Sequence, residues 1–173
     1  MTMTFQLPDA IAALSRTPDV LDALLGDLDD GWARQRPAEG EWSAHDVLGH
    51  FIHGERTDWI PRARIILDHG TSVPFTPFDR DGHVAIAADR STAELLDLFR
   101  TLRAENLAAL RGFDLTADDL DREGAHPAFG PVTLGQLLAT WTTHDHVHLG
   151  QVTQALASRY TTEVGPWHAY LWE

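Results

Sequence analysis

Apolar residues recur at helical spacing along nearly the whole chain. In residues 8–28, Ile11, Leu14, Leu21, Leu24, Leu25 and Leu28 fall on one side of a 3.6-residue period. Pro18 interrupts this stretch. It either kinks the helix or opens a second one with Thr17 as its N-cap, and Gly31 is the expected stop. A second stretch starts at Ser43, where Asp46 three residues on completes a capping box. It carries Val47, Leu48, Phe51, Ile52, Trp59, Ile65 and Ile66 to about residue 68, with a kink expected at Pro61 and an end at Gly70.

Residues 70–90 (GTSVPFTPFDRDGHVAIAADR) are rich in Pro, Gly and Asp and predict a long crossover loop, a length often tied to function. Ser91 and Glu94 box the start of a third helix, with Leu95, Leu98, Phe99, Leu102 and Leu110 inward to about residue 111. A turn-rich stretch follows. Thr133 and Gln136 then open a fourth helix to about residue 158, through Leu134, Leu137, Leu138, Trp141 and Leu149. No alternating strand pattern or internal repeat stands out. The expected fold is all-α: one four-helix bundle over residues 1–173 with a long crossover loop.

Composition narrows the function classes. A net charge of -13 disfavours nucleic acid and anionic membranes, both of which call for a basic face. No apolar run approaches membrane-spanning length and the N-terminus lacks a signal-peptide pattern, so a cytoplasmic location is expected. The chain has no cysteine. Any metal must therefore be held by nitrogen and oxygen ligands.

The strongest chemical signal is WTTHDHVHLGQV in the fourth helix. His144 and His148, four residues apart, share a face with Leu137, Trp141 and Gln151. Two imidazoles on an inward stripe need partners, and one metal ion serves both. His50, on the inward stripe of Val47, Phe51 and Gly54, is the expected third ligand from the second helix. His45 is expected to be solvated in the first helical turn, His53 to lie near the site or on the surface, and His146 to face solvent. Gln151, one turn past His148, is the expected catalytic residue, within reach of substrate or of a water on the ion. Asp145 points about 100° from His144 and is expected at the edge of the site or in solvent. Glu55 is expected in an ion pair with Arg56, Arg62 or Arg64. Phe75, Phe78, Asp79 and Arg80 line the pocket mouth or fold back as a lid.

Three segments, residues 41–55 (EWSAHDVLGHFIHGE), 125–138 (AHPAFGPVTLGQLL) and 144–151 (HDHVHLGQ), resemble the DinB/YfiT-like proteins. The resemblance runs over about residues 17–172. It implies a four-helix bundle in which His50, His144 and His148 bind one divalent ion, with zinc the default and nickel, iron or manganese compatible with nitrogen ligands. Three protein ligands leave a coordination position open, the arrangement of catalytic rather than structural sites. Thiol S-transferases and a thiol-dependent isomerase in the family imply a small-molecule substrate and a low-molecular-weight thiol, with a related hydrolase as the wider reading. A non-catalytic metal-binding stress-response protein is the alternative. Family bundles often form homodimers, and the apolar C-terminal run GPWHAYLWE, with His168, is expected to dock on the bundle or on a second copy.

Two other readings of the same residues make different predictions. A zincin-type protease would use Asp145 as base and Glu163 as third ligand. An HD-type phosphohydrolase would use Asp46 and Asp145 as ligands.

Overall fold

The structure, a computed structural model, describes residues 4–171. The chain forms α1 (Leu7–Leu14), α2 (Thr17–Leu25), α3 (Asp30–Ala33), α4 (Ala44–Thr57), α5 (Trp59–His69), α6 (Gly82–Ala87), α7 (Thr92–Gly112), α8 (Ala117–Leu120), β1 (Glu123–His126), β2 (Gly130–Thr133), α9 (Leu134–Ala157) and α10 (His168–Leu171). The bundle is built from the α1–α2 pair, the α4–α5 pair, α7 and α9. It is the four-helix bundle that the apolar periodicity predicts.

Side-chain caps fix the long helices where the sequence places them. Ser43 with Asp46, Ser91 with Glu94, and Thr133 with Gln136 all form reciprocal boxes, which satisfy otherwise orphaned backbone donors. Pro18 lies in the first turn of α2, but the N-cap is Arg16 rather than Thr17. The Thr17 hydroxyl instead donates across the bundle to Asp145 Oδ2 at 2.5 Å. This first segment ends at Leu25, not at Gly31, which sits within α3 beneath an Asp29 cap. The second stretch breaks at Asp58 (φ -102°, ψ -69°), three residues before Pro61. Proline has no N–H for the carbonyl of Thr57 and its ring crowds that carbonyl.

The crossover is more ordered than a loop. A 3-10 turn at Gly70–Ser72 leads to Pro74, which bridges to Ala125, and then to α6. That helix lies close over α4, because Gly49 has no Cβ to meet His83 O, 3.1 Å from where a Cβ would sit. The antiparallel pair β1–β2 is not predicted by the sequence pattern. Its strands are four residues each, too short for alternation to register. His126 Nδ1 accepts from Ala128 N–H and Phe129 N–H and closes the turn. Among the described residues of the C-terminal run, Trp167, Tyr170 and Leu171 are exposed rather than buried on the bundle. Trp172 and Glu173 lie outside the described residues.

Two apolar clusters fill the bundle. One includes Leu21, Leu25, Leu48, Phe51, Ile52, Leu95, Phe99, Val152 and Ala155. The other includes Leu14, Trp59, Ile66, Leu107, Leu110, Leu134, Leu138 and Trp141. On every long helix the handover between clusters is marked by polar residues: Thr17, Glu55, Arg103 with Asn106, and Asp145. The polar layer they form lies beside the three histidines.

Candidate metal centre

His50 comes from α4, and His144 and His148 from α9. One donor atom from each lies within 4.8 Å of the other two. The Nε2 atoms of His50 and His144 approach to 2.9 Å. Ring centroids are 4.2 Å apart for His144 and His148, 4.5 Å for His50 and His148, and 5.0 Å for His50 and His144. Aromatic neighbours set the rings' orientation. Trp59 meets His144 edge-on at 5.1 Å, while Trp42 and Phe78 flank His50 at 4.9 and 5.6 Å. Trp59 gets this close to α4 because residue 54 is glycine; a Cβ there would sit 3.3 Å from Trp59 Nε1.

Burial favours the neutral form of all three rings. It pushes His50 down to about 3 and His144 to about 2, in both cases helped by the neighbouring histidines. His148 is lowered by burial too, opposed by its hydrogen bond to Gln151. His148 Nδ1–H donates to Gln151 Oε1 at 2.8 Å, which leaves its Nε2 as the free lone pair. The Nδ1 atoms of His50 and His144 are buried without a protein partner. At 2.9 Å one Nε2 donates to the other, and an ion would replace that bond by taking a lone pair from each, beside the third ring. Three neutral nitrogens, no sulfur and no competing carboxylate form a donor set that fits a divalent ion with room for another ligand.

The low histidine pKa values carry a stability consequence. Unfolded imidazoles take up protons near 6.5, whereas folded His50 and His144 do so only near 3 and 2. The folded state binds fewer protons, so this contribution is complete above 6.5 and erodes as pH falls toward the folded values. Chelator-stripped protein is expected to show a falling urea midpoint from about pH 7 to about pH 4. A flat midpoint over that range would contradict the buried, neutral assignment.

A cleft of about 390 Å³ opens on His148 and Gln151, bounded across from α9 by Glu41 and Trp42. On the other side of α9, a shallow groove past Thr140, Thr143 and Val147 reaches His144 and His148. Of the crossover residues, Phe78 contacts His50 and His53, whereas Asp79 and Arg80 are exposed. Phe75 does not line the mouth; it is buried in the lower apolar cluster.

Several expectations about neighbouring polar residues change. His45 is not solvated: it is buried, with Nδ1 on Thr92 Oγ1 at 3.1 Å and Nε2 on Ala87 O at 3.0 Å. His53 is half-buried beside Phe78, and His146 is exposed as expected. Asp145 does point away from His144, but that direction is the core, since Leu138, Trp141, Asp145 and Val152 form the inward stripe of α9. Glu55 does form an ion pair, but with Arg103 rather than Arg56, Arg62 or Arg64; Arg62 pairs with Asp58 at 2.7 Å. Asp46 is taken up by Ser43 and Arg36, and Glu163 is exposed. These positions weigh against both the protease and the HD readings.

Trp42, His83 and Arg103 were not singled out by the sequence. Trp42 and His83 lie 4.5 Å apart beside His50. Arg103 had a legible signal, because it falls four residues after inward Phe99 and four before inward Leu107.

Comparison with solved structures finds the same bundle elsewhere. YfiT from Bacillus subtilis, described as a probable metal-dependent hydrolase with an unusual four-helix bundle topology, superposes with a TM-score of 0.72 at 21% identity, covering 92% of this chain and 91% of that one. A DinB-like protein from Bacillus cereus ATCC 10987 gives 0.61 at 20% identity, over 90% and 93% of the two chains. The DinB-like protein YjoA from Bacillus subtilis gives 0.56 at 19% identity, over 86% and 90%. No curated protein matches the sequence. The family model of the DinB superfamily matches residues 13–152, a span that takes in all three converging histidines, and the chain belongs to that superfamily.

Proposed function

We propose that the protein is a metal-dependent enzyme, most simply a hydrolase, that acts on a small molecule at an ion held by His50, His144 and His148. The observation that carries this reading is the convergence of three neutral imidazole nitrogens within 4.8 Å beside an open cleft. The description of YfiT as a probable metal-dependent hydrolase supports it. A divalent ion held there would supply Lewis acidity toward a substrate oxygen or sulfur and would acidify a water. Zinc is the expected ion for three imidazoles.

The chain's own residues then divide the work. Buried His50 and partly buried His144 are held neutral, so each keeps one lone pair for an ion. Trp42 forms an apolar wall of the cleft, and Glu41 and Gln154 give it polar edges. In this reading Gln151 acts through His148 as a positioning residue, fixing its tautomer and ring orientation. Gln151→Ala is expected to weaken zinc binding about 10- to 100-fold, with a smaller loss for Gln151→Glu, which keeps an acceptor. A chelator-competition titration reads both.

The deciding experiment is a screen of zinc-loaded protein against small esters, amides and electrophiles, each with and without a low-molecular-weight thiol, with His144→Ala as control. Turnover without thiol assigns hydrolysis, and turnover only with thiol assigns S-transfer. An ion bound with no turnover in either arm would favour the stress-response metal-binding reading. The long exposed face of α9 carries no charged residue apart from its histidines, which suits a second copy of this acidic chain. A concentration-independent monomer by sedimentation would rule the homodimer out.

A further inference from the structure

The polar layer behind the histidines carries a net charge that its own members do not cancel. Arg103 uses all five of its N–H groups. Nε and Nη2 donate to Glu55 Oε1 at 3.1 and 2.8 Å. Nη1 and Nη2 donate to Asp145 Oδ2 and Oδ1 at 2.6 and 3.0 Å, and Nη1 also to Leu14 O at 2.9 Å. The other groups on these acids are donors as well. Trp141 Nε1 reaches Glu55 Oε1 at 3.1 Å, Asn106 Nδ2 reaches Glu55 Oε2 at 2.9 Å, and the Thr17 hydroxyl reaches Asp145 Oδ2. A proton on the Glu55 carboxyl would face donors alone, and on Asp145 only the Thr17 hydroxyl could accept one. The geometry therefore suits two carboxylates around one guanidinium, an excess of one negative charge on residues no more than 2% exposed.

Leaving that charge uncompensated in the core is costly. The histidine cup lies alongside, and its three neutral rings contribute no charge of their own to a bound cation. We propose that Glu55 and Asp145 are the counter-charge for a divalent cation in the cup, held in place by Arg103; this rests on the reading of the cup as a metal site. All three are positioning residues. Glu55 shares α4 with His50, Asp145 shares α9 with His144 and His148, and Arg103 on α7 ties the two helices together. The link to the rings is short: Trp141, held by Glu55, stacks on Trp59 at 5.7 Å, and Trp59 meets His144 edge-on.

The test titrates stripped protein with Zn²⁺ against a chromophoric chelator and follows thermal unfolding of the same samples. Glu55→Gln and Asp145→Asn each remove one charge with little change of shape. Each is expected to weaken Zn²⁺ binding about 10- to 100-fold while the stripped protein still unfolds cooperatively. Asp19→Asn is the charge-matched control. It removes a carboxylate from the exposed Arg100 pair between α2 and α7 and should leave affinity unchanged. A merely structural network would instead lower the unfolding temperature and leave affinity intact. Wild-type affinity in Glu55→Gln, or a loss matched by Asp19→Asn, overturns the proposal. If Glu55→Gln does not fold, Asp145→Asn decides by the same comparison, and if neither folds the network is a folding element and the proposal fails. Absence of Zn²⁺ binding in the wild type would overturn the metal reading itself.

Discussion

Alanine at His50 or at His148 is expected to strip most of the divalent ion from the purified protein, and alanine at both to remove all of it. Each ring contributes one of three converging nitrogens, so a single substitution leaves two ligands on an open site. The affinity loss should exceed the roughly 10- to 100-fold that follows loss of a residue hydrogen-bonded to a ligand. Elemental analysis of chromatographed protein gives the readout, with far-UV circular dichroism to show that the bundle persists. Glu163→Ala and Asp46→Ala should both retain the ion. Glu163 is exposed, and the Asp46 carboxylate is committed to the Ser43 cap. Metal retained by the His50→Ala/His148→Ala double variant would sink the assignment.

The bundle was legible because its determinants are local. Caps at Ser43, Ser91 and Thr133 and the apolar period of each helix lie within a few residues of one another. The histidine cup was legible because an i,i+4 pair at the edge of an inward stripe restricts what a third inward histidine on a facing helix can do. Long-range polar pairing was not. Nothing local tells Glu55 to choose Arg103, 48 residues away, over Arg56, Arg62 or Arg64. The choice follows from helix packing, which puts Arg103 between the two acids and leaves Arg62 with Asp58. For the same reason Asp145 read as an edge residue. The direction away from His144 was right, but only the neighbouring helices show that it leads inward. The histidines lie at the rim of that stripe, where burial is enough to keep them neutral and an opening remains beside His148.

Arg103→Met is expected to be the most destabilising single substitution in the bundle, at about 3–5 kcal/mol, because it strands two buried carboxylates. Methionine fills much of the volume and keeps apolar contact with Phe99 and Trp141, whose rings lie 4.8 and 5.2 Å from the guanidinium carbon. The loss is thus chiefly electrostatic rather than a cavity effect. For a domain of this size it corresponds to a fall in Tm of roughly 6–20 °C. Two features separate it from ordinary core disruption. The deficit should be larger at neutral than at acid pH. Burial already pushes the Glu55 carboxyl up against the pull of Arg103, and without the guanidinium that rise grows. A raised folded pKa contributes stability below the unfolded value that is lost as pH rises through the folded one. Arg103→Met/Asp145→Asn should also recover part of the loss, since one stranded charge is gone. A deficit that is independent of pH, with no recovery in the double variant, would mean that Arg103 supports the fold by packing alone.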